Sequence, residues 1–189
     1  MSLKKNNIPQ LTNFKLIIGL GNPGKLYTNT PHNCGFIFID KLKITLEYQF
    51  NEINKKEYSL VSYPSLNLQL LKPLTYMNDS GKVLSRLLKY NSYKAEEVLI
   101  VHDDLDLNLG KYKLQFNKFP KTHNGILSIH KETGKTKFWY LRLGIETRDT
   151  EDKTFLSGKD YVLKNFSKNQ QEILEKTIKK IIQEMTDKI

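Results

Sequence analysis

Phe14-Lys15-Leu16-Ile17-Ile18-Gly19-Leu20 is a short, nearly continuous apolar run that ends in a glycine-rich turn. A strand with one wet face alternates apolar and polar residues, so a run without alternation must be covered on both faces. Val98 to Val101 reads as a second buried strand, and Phe138 to Ile145 as another. Between and after them lie segments of helical spacing. Residues 33 to 46 carry Phe36, Ile37, Ile39 and Leu42, and residues 80 to 90 repeat Val83, Leu84, Leu87 and Leu88. Ser167 and Gln170 form a capping box that opens a last helix striped with Ile173, Leu174, Ile178, Ile181, Ile182 and Met185. Strands alternating with helices predict an α/β protein: a single-domain, three-layer α/β/α sandwich. Local hairpins expected over 57–71 and 98–116 make its central sheet mixed, though mostly parallel. With 189 residues the chain has the size of one domain, read as residues 14–189 behind a loose N-terminal arm, residues 1–13. In such sheets ligands sit beyond the carboxyl ends of the strands.

Charge narrows the partner. Thirty Lys and Arg against twenty Asp and Glu leave a formal charge of +10, which favours a polyanion. From Lys111 to Lys137, seven lysines face one acidic residue, Glu132, with Tyr112, Phe116 and Phe119 among them, a mixture suited to a phosphate backbone and exposed bases. The single Cys34 excludes an internal disulfide and fits a reducing compartment. No apolar run approaches the ~18 residues of a membrane span, and Met1 to Asn13 has no apolar core of a secretory signal. The expectation is a soluble, cytoplasmic protein with no membrane partner.

Gly19-Leu20-Gly21-Asn22-Pro23-Gly24 matches G-x-G-x-x-G after a strand. A dinucleotide site would require a helix to start at those glycines. Turn formers and Pro31 delay any helix until about His32, so the turn instead aims the Asn22 amide into a cleft or is structural only. His32 opens that helix, where the helix N-terminus disfavours imidazolium and leaves a neutral ring able to accept a proton. In His102-Asp103-Asp104-Leu105-Asp106, alternation puts Asp104 and Asp106 on one face and Asp103 on the other. The three carboxylates suit Mg²⁺; alternatively one of them fixes the tautomer of a catalytic histidine. Asn78 and Asn124 stand at the starts of two helices, as caps or as donors.

In order along the chain, IIGLGNPGKLYTNTPHN (within 16–33), KPLTYMNDSG (72–81), HDDLDL (102–107) and HNG (123–125) resemble the four signatures of bacterial peptidyl-tRNA hydrolases. That resemblance implies a monomer without cofactor or metal, acting on peptidyl-tRNA at the ester joining the peptide to the tRNA 3′ end. By motif position, His32 resembles the catalytic base and Asp103 its supporting carboxylate. Asn22 resembles the residue that tells blocked from free aminoacyl groups, and Tyr27, Tyr76, Asn78 and Asn124 fall on substrate-contacting positions. Lys113, from the basic stretch, and Arg142 complete the expected tRNA-binding set. The chain departs from the family with Pro31 where Arg usually stands, Tyr76 where Phe is common, and no glycine in the 117–122 loop. Two other readings account for fewer of these residues: an RNA-binding module without catalysis, and a Mg²⁺-dependent phosphoesterase built on Asp103, Asp104 and Asp106.

Overall fold

A computed structural model describes residues 8–149 and 155–187. Its strands are β1 (Leu16–Gly19), β2 (Asn51–Asn54), β3 (Tyr58–Tyr63), β4 (Leu68–Pro73), β5 (Val98–Asn108), β6 (Tyr112–Phe116) and β7 (Trp139–Glu146). Its helices are α1 (Cys34–Thr45), α2 (Ser80–Tyr90), α3 (Asn124–Thr133), α4 (Gly158–Tyr161) and α5 (Lys168–Thr186). The strands make one sheet in the order β2-β3-β4-β1-β5-β7-β6. Its centre, β4-β1-β5-β7, is parallel throughout, and the outer strands β2, β3 and β6 pair antiparallel. Alternate residues of β1 show why the apolar runs do not alternate. Ile17 joins the core under α1 and α5, whereas Leu16 and Ile18 join the one under α2 and α3. The three-layer α/β/α sandwich follows. Among the described residues no helix is long and apolar enough to cross a membrane.

Three expectations are corrected. The 57–71 hairpin forms, as β3 and β4, but the 98–116 hairpin does not: β7 lies between β5 and β6, and β6 pairs with it antiparallel. β5 does not stop at Val101. It runs on to Asn108, because His102, Asp103 and Asp104, all buried, stay paired with Arg142, Leu143 and Gly144 of β7. Nor is the N-terminal arm loose over its described part: Leu11 is buried in the core and the Gln10 amide donates to the Glu184 carbonyl. Residues 1–7 of that arm lie outside the described residues. The strand missed by sequence, β2, is polar and fully exposed, so no apolar pattern marks it.

The carboxyl ends of β1 and β5 are brought against α1 by glycine. A Cβ on Gly35, at the start of α1, would lie 2.4 Å from the Leu20 nitrogen and 2.5 Å from the Val101 carbonyl oxygen. Those two atoms are themselves joined by a 2.9 Å hydrogen bond that closes β1 on β5. Gly19 meets the same constraint from the other side, its would-be Cβ lying 2.3 Å from the Gly35 carbonyl oxygen. Since His32 lies just before α1, this contact sets its distance to β5. Gly35→Ala is expected to cost about 1–3 kcal/mol by overpacking, lowering the melting temperature by several degrees in a thermal unfolding experiment. An unchanged melting temperature would mean that α1 can retreat from the sheet without cost.

Candidate active site

His32 is placed by backbone contacts on both sides. Pro31–Asn33 form a single 3₁₀ turn, entered by Pro31, which has no N–H to leave unpaired at that first position. The His32 amide donates to the Val162 carbonyl at 2.9 Å, tying the turn to the end of α4. The His32 ring is thereby brought to β5, where Nδ1 lies 2.9 Å from Asp103 Oδ1. Asp103 has a second imidazole partner that sequence reading left unassigned. His123 Nε2 lies 2.9 Å from the same Oδ1. His123 caps α3, its Nδ1 accepting from the amides of Gly125 and Ile126 at 3.1 and 3.4 Å. The HNG triplet holds a signal that would have found this, because a His one residue before a helix can cap it through Nδ1 and leave Nε2–H directed elsewhere. The neighbouring His102 is fully buried, with Nδ1 2.7 Å from the Asp103 carbonyl oxygen and Nε2 without a partner among the described residues.

The glycine-rich turn is locked by a side chain that sequence reading also left without a role. Asn33 Oδ1 accepts from the Asn22 amide at 2.9 Å, and Asn33 Nδ2 donates to the Asn22 carbonyl at 3.0 Å. Asn22 Oδ1 in turn accepts from the Met77 amide at 2.8 Å. With its oxygen engaged, the Asn22 side chain presents N–H donors. Gly24 leads into a 3₁₀ turn over Lys25–Tyr27 and not into a helix, as the sequence argument against a dinucleotide requires.

These groups open on a cavity of about 850 Å³ beyond the carboxyl ends of the strands. Its walls include Asn22, Tyr27, His32, Tyr76, Asn78, Asp103 and Asn124, so seven of the nine predicted site residues come together. Lys113 and Arg142 do not line it. They face each other across β6 and β7, Lys113 lining a second concavity with Lys111 and Lys180. Arg142 is mostly buried, its Nε donating to Asp104 Oδ2 at 2.5 Å and its Nη2 lying 3.9 Å from Asp106 Oδ2. The alternation read from sequence holds, with Asp103 turned to the histidines and Asp104 and Asp106 sharing Arg142. The three carboxylates therefore do not converge as a Mg²⁺ site would require. His32, Asp103 and His123 do cluster, their ligand-type atoms lying within 4.8 Å of one another. A metal on His123 Nε2 would need the proton moved to Nδ1, which the cap of α3 opposes.

Burial favours neutral groups, and Asp103 resists it. Burial alone would raise its carboxyl; the field and hydrogen bonds of His32 and His123 outweigh that and hold it well below the usual carboxylate range. For His32, burial disfavours the cation, yet the charge and hydrogen bond of Asp103 win, and its affinity for a proton rises above the ordinary 6.5. That direction corrects the expectation drawn from the helix terminus alone. Burial drives His102 the other way, well below 6.5, and pushes the Cys34 thiol well above 9.0. The thiol is a core group.

The protein-family model described as Peptidyl-tRNA hydrolase matches residues 16–189. A peptidyl-tRNA hydrolase of Neisseria meningitidis serogroup C is 35% identical over 175 residues, covering 92% of this chain and 89% of the relative. One from Fervidobacterium nodosum is 39% identical over 163 residues, covering 86% and 82%. The crystal structure of peptidyl-tRNA hydrolase from Acinetobacter baumannii superposes with a TM-score of 0.75 at 29% identity, covering 93% of this chain and 88% of that one.

The opposed influences on His32 give a test that needs no substrate. With Asp103 replaced by Asn, only burial remains, so the His32 ring should titrate below 6.5 where the wild type titrates above it. NMR of ring-labelled histidine reads both values. A variant that titrates as the wild type would show that Asp103 is not what raises His32.

Proposed function

The chain belongs to the peptidyl-tRNA hydrolase family, hydrolases of the ester bond of peptidyl-tRNA, and we propose that His32 is the base that activates water for this reaction. Asp103 accepts from Nδ1, which leaves Nε2 with a lone pair toward the cavity. Water attacks the ester carbonyl as Nε2 takes its proton. Asp103, a positioning residue, holds the ring in that tautomer and stabilises the imidazolium that forms. The tetrahedral intermediate collapses, the carbonyl re-forms, and the ribose oxygen leaves with the proton from Nε2. Peptide acid and free tRNA result, and the base is regenerated. In this reading the amide donors of Asn22, Asn78 and Asn124, which line the cavity, receive the oxyanion and the peptide backbone. Tyr27 and Tyr76 offer ring faces to the terminal nucleotide.

The observation that carries this assignment is the 2.9 Å bond between His32 Nδ1 and Asp103 Oδ1 at the wall of a cavity with amide donors on its other sides. For the polyanion, the same proposal gives Lys113 a backbone phosphate and Arg142 an indirect part. By holding Asp104, Arg142 removes a carboxylate's repulsion from the path of the tRNA. A monomer acting in the cytoplasm agrees with a lone buried Cys34. His32→Ala should lose ~10²–10⁴ in turnover of N-acetyl-aminoacyl-tRNA while tRNA binding is retained. Chelator should leave the wild-type rate unchanged. Turnover surviving in His32→Ala would remove His32 from the chemistry, and a chelator-sensitive rate would restore the metal reading.

Selectivity is proposed to reside in Asn22. Because its Oδ1 is engaged by Met77, the amide can donate to the carbonyl of a blocked amino group but offers nothing to a free ammonium. Asn22→Asp puts a carboxylate oxygen there instead. The ratio of blocked to unblocked aminoacyl-tRNA hydrolysis should shrink while blocked-substrate turnover falls. A variant as selective as the wild type would assign discrimination to another residue.

A further inference from the structure

His123 touches the machinery without a part in the proton path described above, and its two ring nitrogens are fixed by different neighbours. Nδ1 accepts from two amides at the start of α3, so it carries no proton. The ring proton is therefore on Nε2, and Nε2–H donates to Asp103 Oδ1. That oxygen is the one that also takes the Nδ1–H of His32, both at 2.9 Å. The imidazoles are close neighbours, with ring centroids 5.0 Å apart. The α3 cap thus holds His123 as a donor to Asp103.

We infer that His123 is a positioning residue that tunes the base: by donating to Asp103 from a tautomer locked through the α3 cap, it keeps His32 less basic than Asp103 alone would make it. A hydrogen bond to a carboxylate stabilises its charge locally and weakens its pull on a neighbouring cation. The consequence for the reaction rests on His32 being the base. A base held too strongly protonated is scarce at neutral pH, so restraint of this kind raises the fraction ready to accept a proton. The other titratable and charged groups around the cluster do not substitute for it. Cys34 from α1 is a buried neutral thiol, and His102 of β5 bonds the Asp103 carbonyl and not its carboxylate. Asp104 is held by Arg142 of β7, Asp106 is largely exposed, and Lys159 of α4 lines the cavity.

Two substitutions separate the nitrogens. His123→Asn puts an amide oxygen near the position of Nδ1 and keeps the cap, but it is too short to reach Asp103. His123→Gln reaches toward Asp103 with its amide N–H and gives up the cap. In His123→Asn, NMR titration of ring-labelled His32 should move upward by about half to one unit, less than the ~1–2 units that a hydrogen bond to a charged group is worth directly, because the loss reaches His32 only through Asp103. The acid limb of kcat/KM with N-acetyl-aminoacyl-tRNA should move with it, so that rates on the acid side fall about three- to tenfold. His123→Gln should lower the melting temperature and leave the His32 titration near its wild-type value. A His123→Asn protein whose His32 titrates as the wild type would overturn the inference and leave His123 as a helix cap only. Should the Asn variant not fold, an upward His32 shift in His123→Gln would overturn it equally. If the His32 titration rises in His123→Asn but the acid limb stays, the tuning stands and the assignment of His32 as base fails.

Discussion

A carboxylate buried as deeply as Asp103 loses its water, and it stays ionised only if protein donors replace that water. Both donors found here come from far along the chain, His32 from the turn before α1 and His123 from the cap of α3. Each approaches Asp103 midway along β5, whose central place between β1 and β7 lets segments from several connections converge there. The ionised Asp103 is thus both a product of the assembled fold and a requirement on it. Removing either imidazole would leave a buried charge short of a donor, a costly state that the unfolded chain does not suffer. Close packing at Gly19 and Gly35 meets that requirement by bringing α1 within reach.

The substrate wall rests on a similar arrangement built of amides. Asn33 holds both the N–H and the C=O of Asn22, and Asn22 holds the N–H of Met77, so the turns after β1 and after β4 form one hydrogen-bonded unit. Two neighbouring residues, His32 and Asn33, thereby fix the proposed base and the proposed selectivity turn together. The 117–122 loop is fastened differently. Asn117 takes a left-handed conformation (φ 53°), which Asn tolerates better than most residues, and Phe119 packs edge-on against His130 at 4.3 Å. An aromatic anchor thus stands where the family resemblance leads one to expect glycines.

The part of this legible in sequence is the part that local chemistry decides. Non-alternating runs required cover on both faces, and the doubly covered parallel centre followed. Alternation within 102–106 separated Asp103 from Asp104 and Asp106 before any partner was known. The rest depends on partners distant in sequence. β5 and β6 are neighbours along the chain but not in the sheet, because β7, arriving later, takes the parallel place beside β5. The upward shift of His32 is set by a carboxylate 71 residues away, which a helix-terminus argument cannot see. Arg142, expected to meet tRNA, is held by Asp104 because the register of β5 against β7 brings their side chains together. His123 has no role in the sequence reading because the partner of its second nitrogen, Asp103, lies 20 residues away in the chain. It is a cap, and its other nitrogen does something else.

The cavity proposed to receive a polyanion has three aspartates along one strand, which at first conflicts with a chain of charge +10. The conflict resolves residue by residue. Asp103 is enclosed by two imidazole donors, and Asp104 is tied at 2.5 Å to a guanidinium, so neither presents a bare charge. Asp106, the one left largely exposed, still has Arg142 at 3.9 Å. A buried ion pair contributes little net field at a distance, since its opposite charges lie close together compared with the separation from an approaching phosphate. Among the described residues, surface lysines over most of the basic stretch have no such partner built against them, and their field extends into solvent within the limit set by salt. Long-range attraction of the nucleic acid and short-range control of the proton therefore draw on different charges. The chain can carry the carboxylate its chemistry needs without repelling the molecule it acts on.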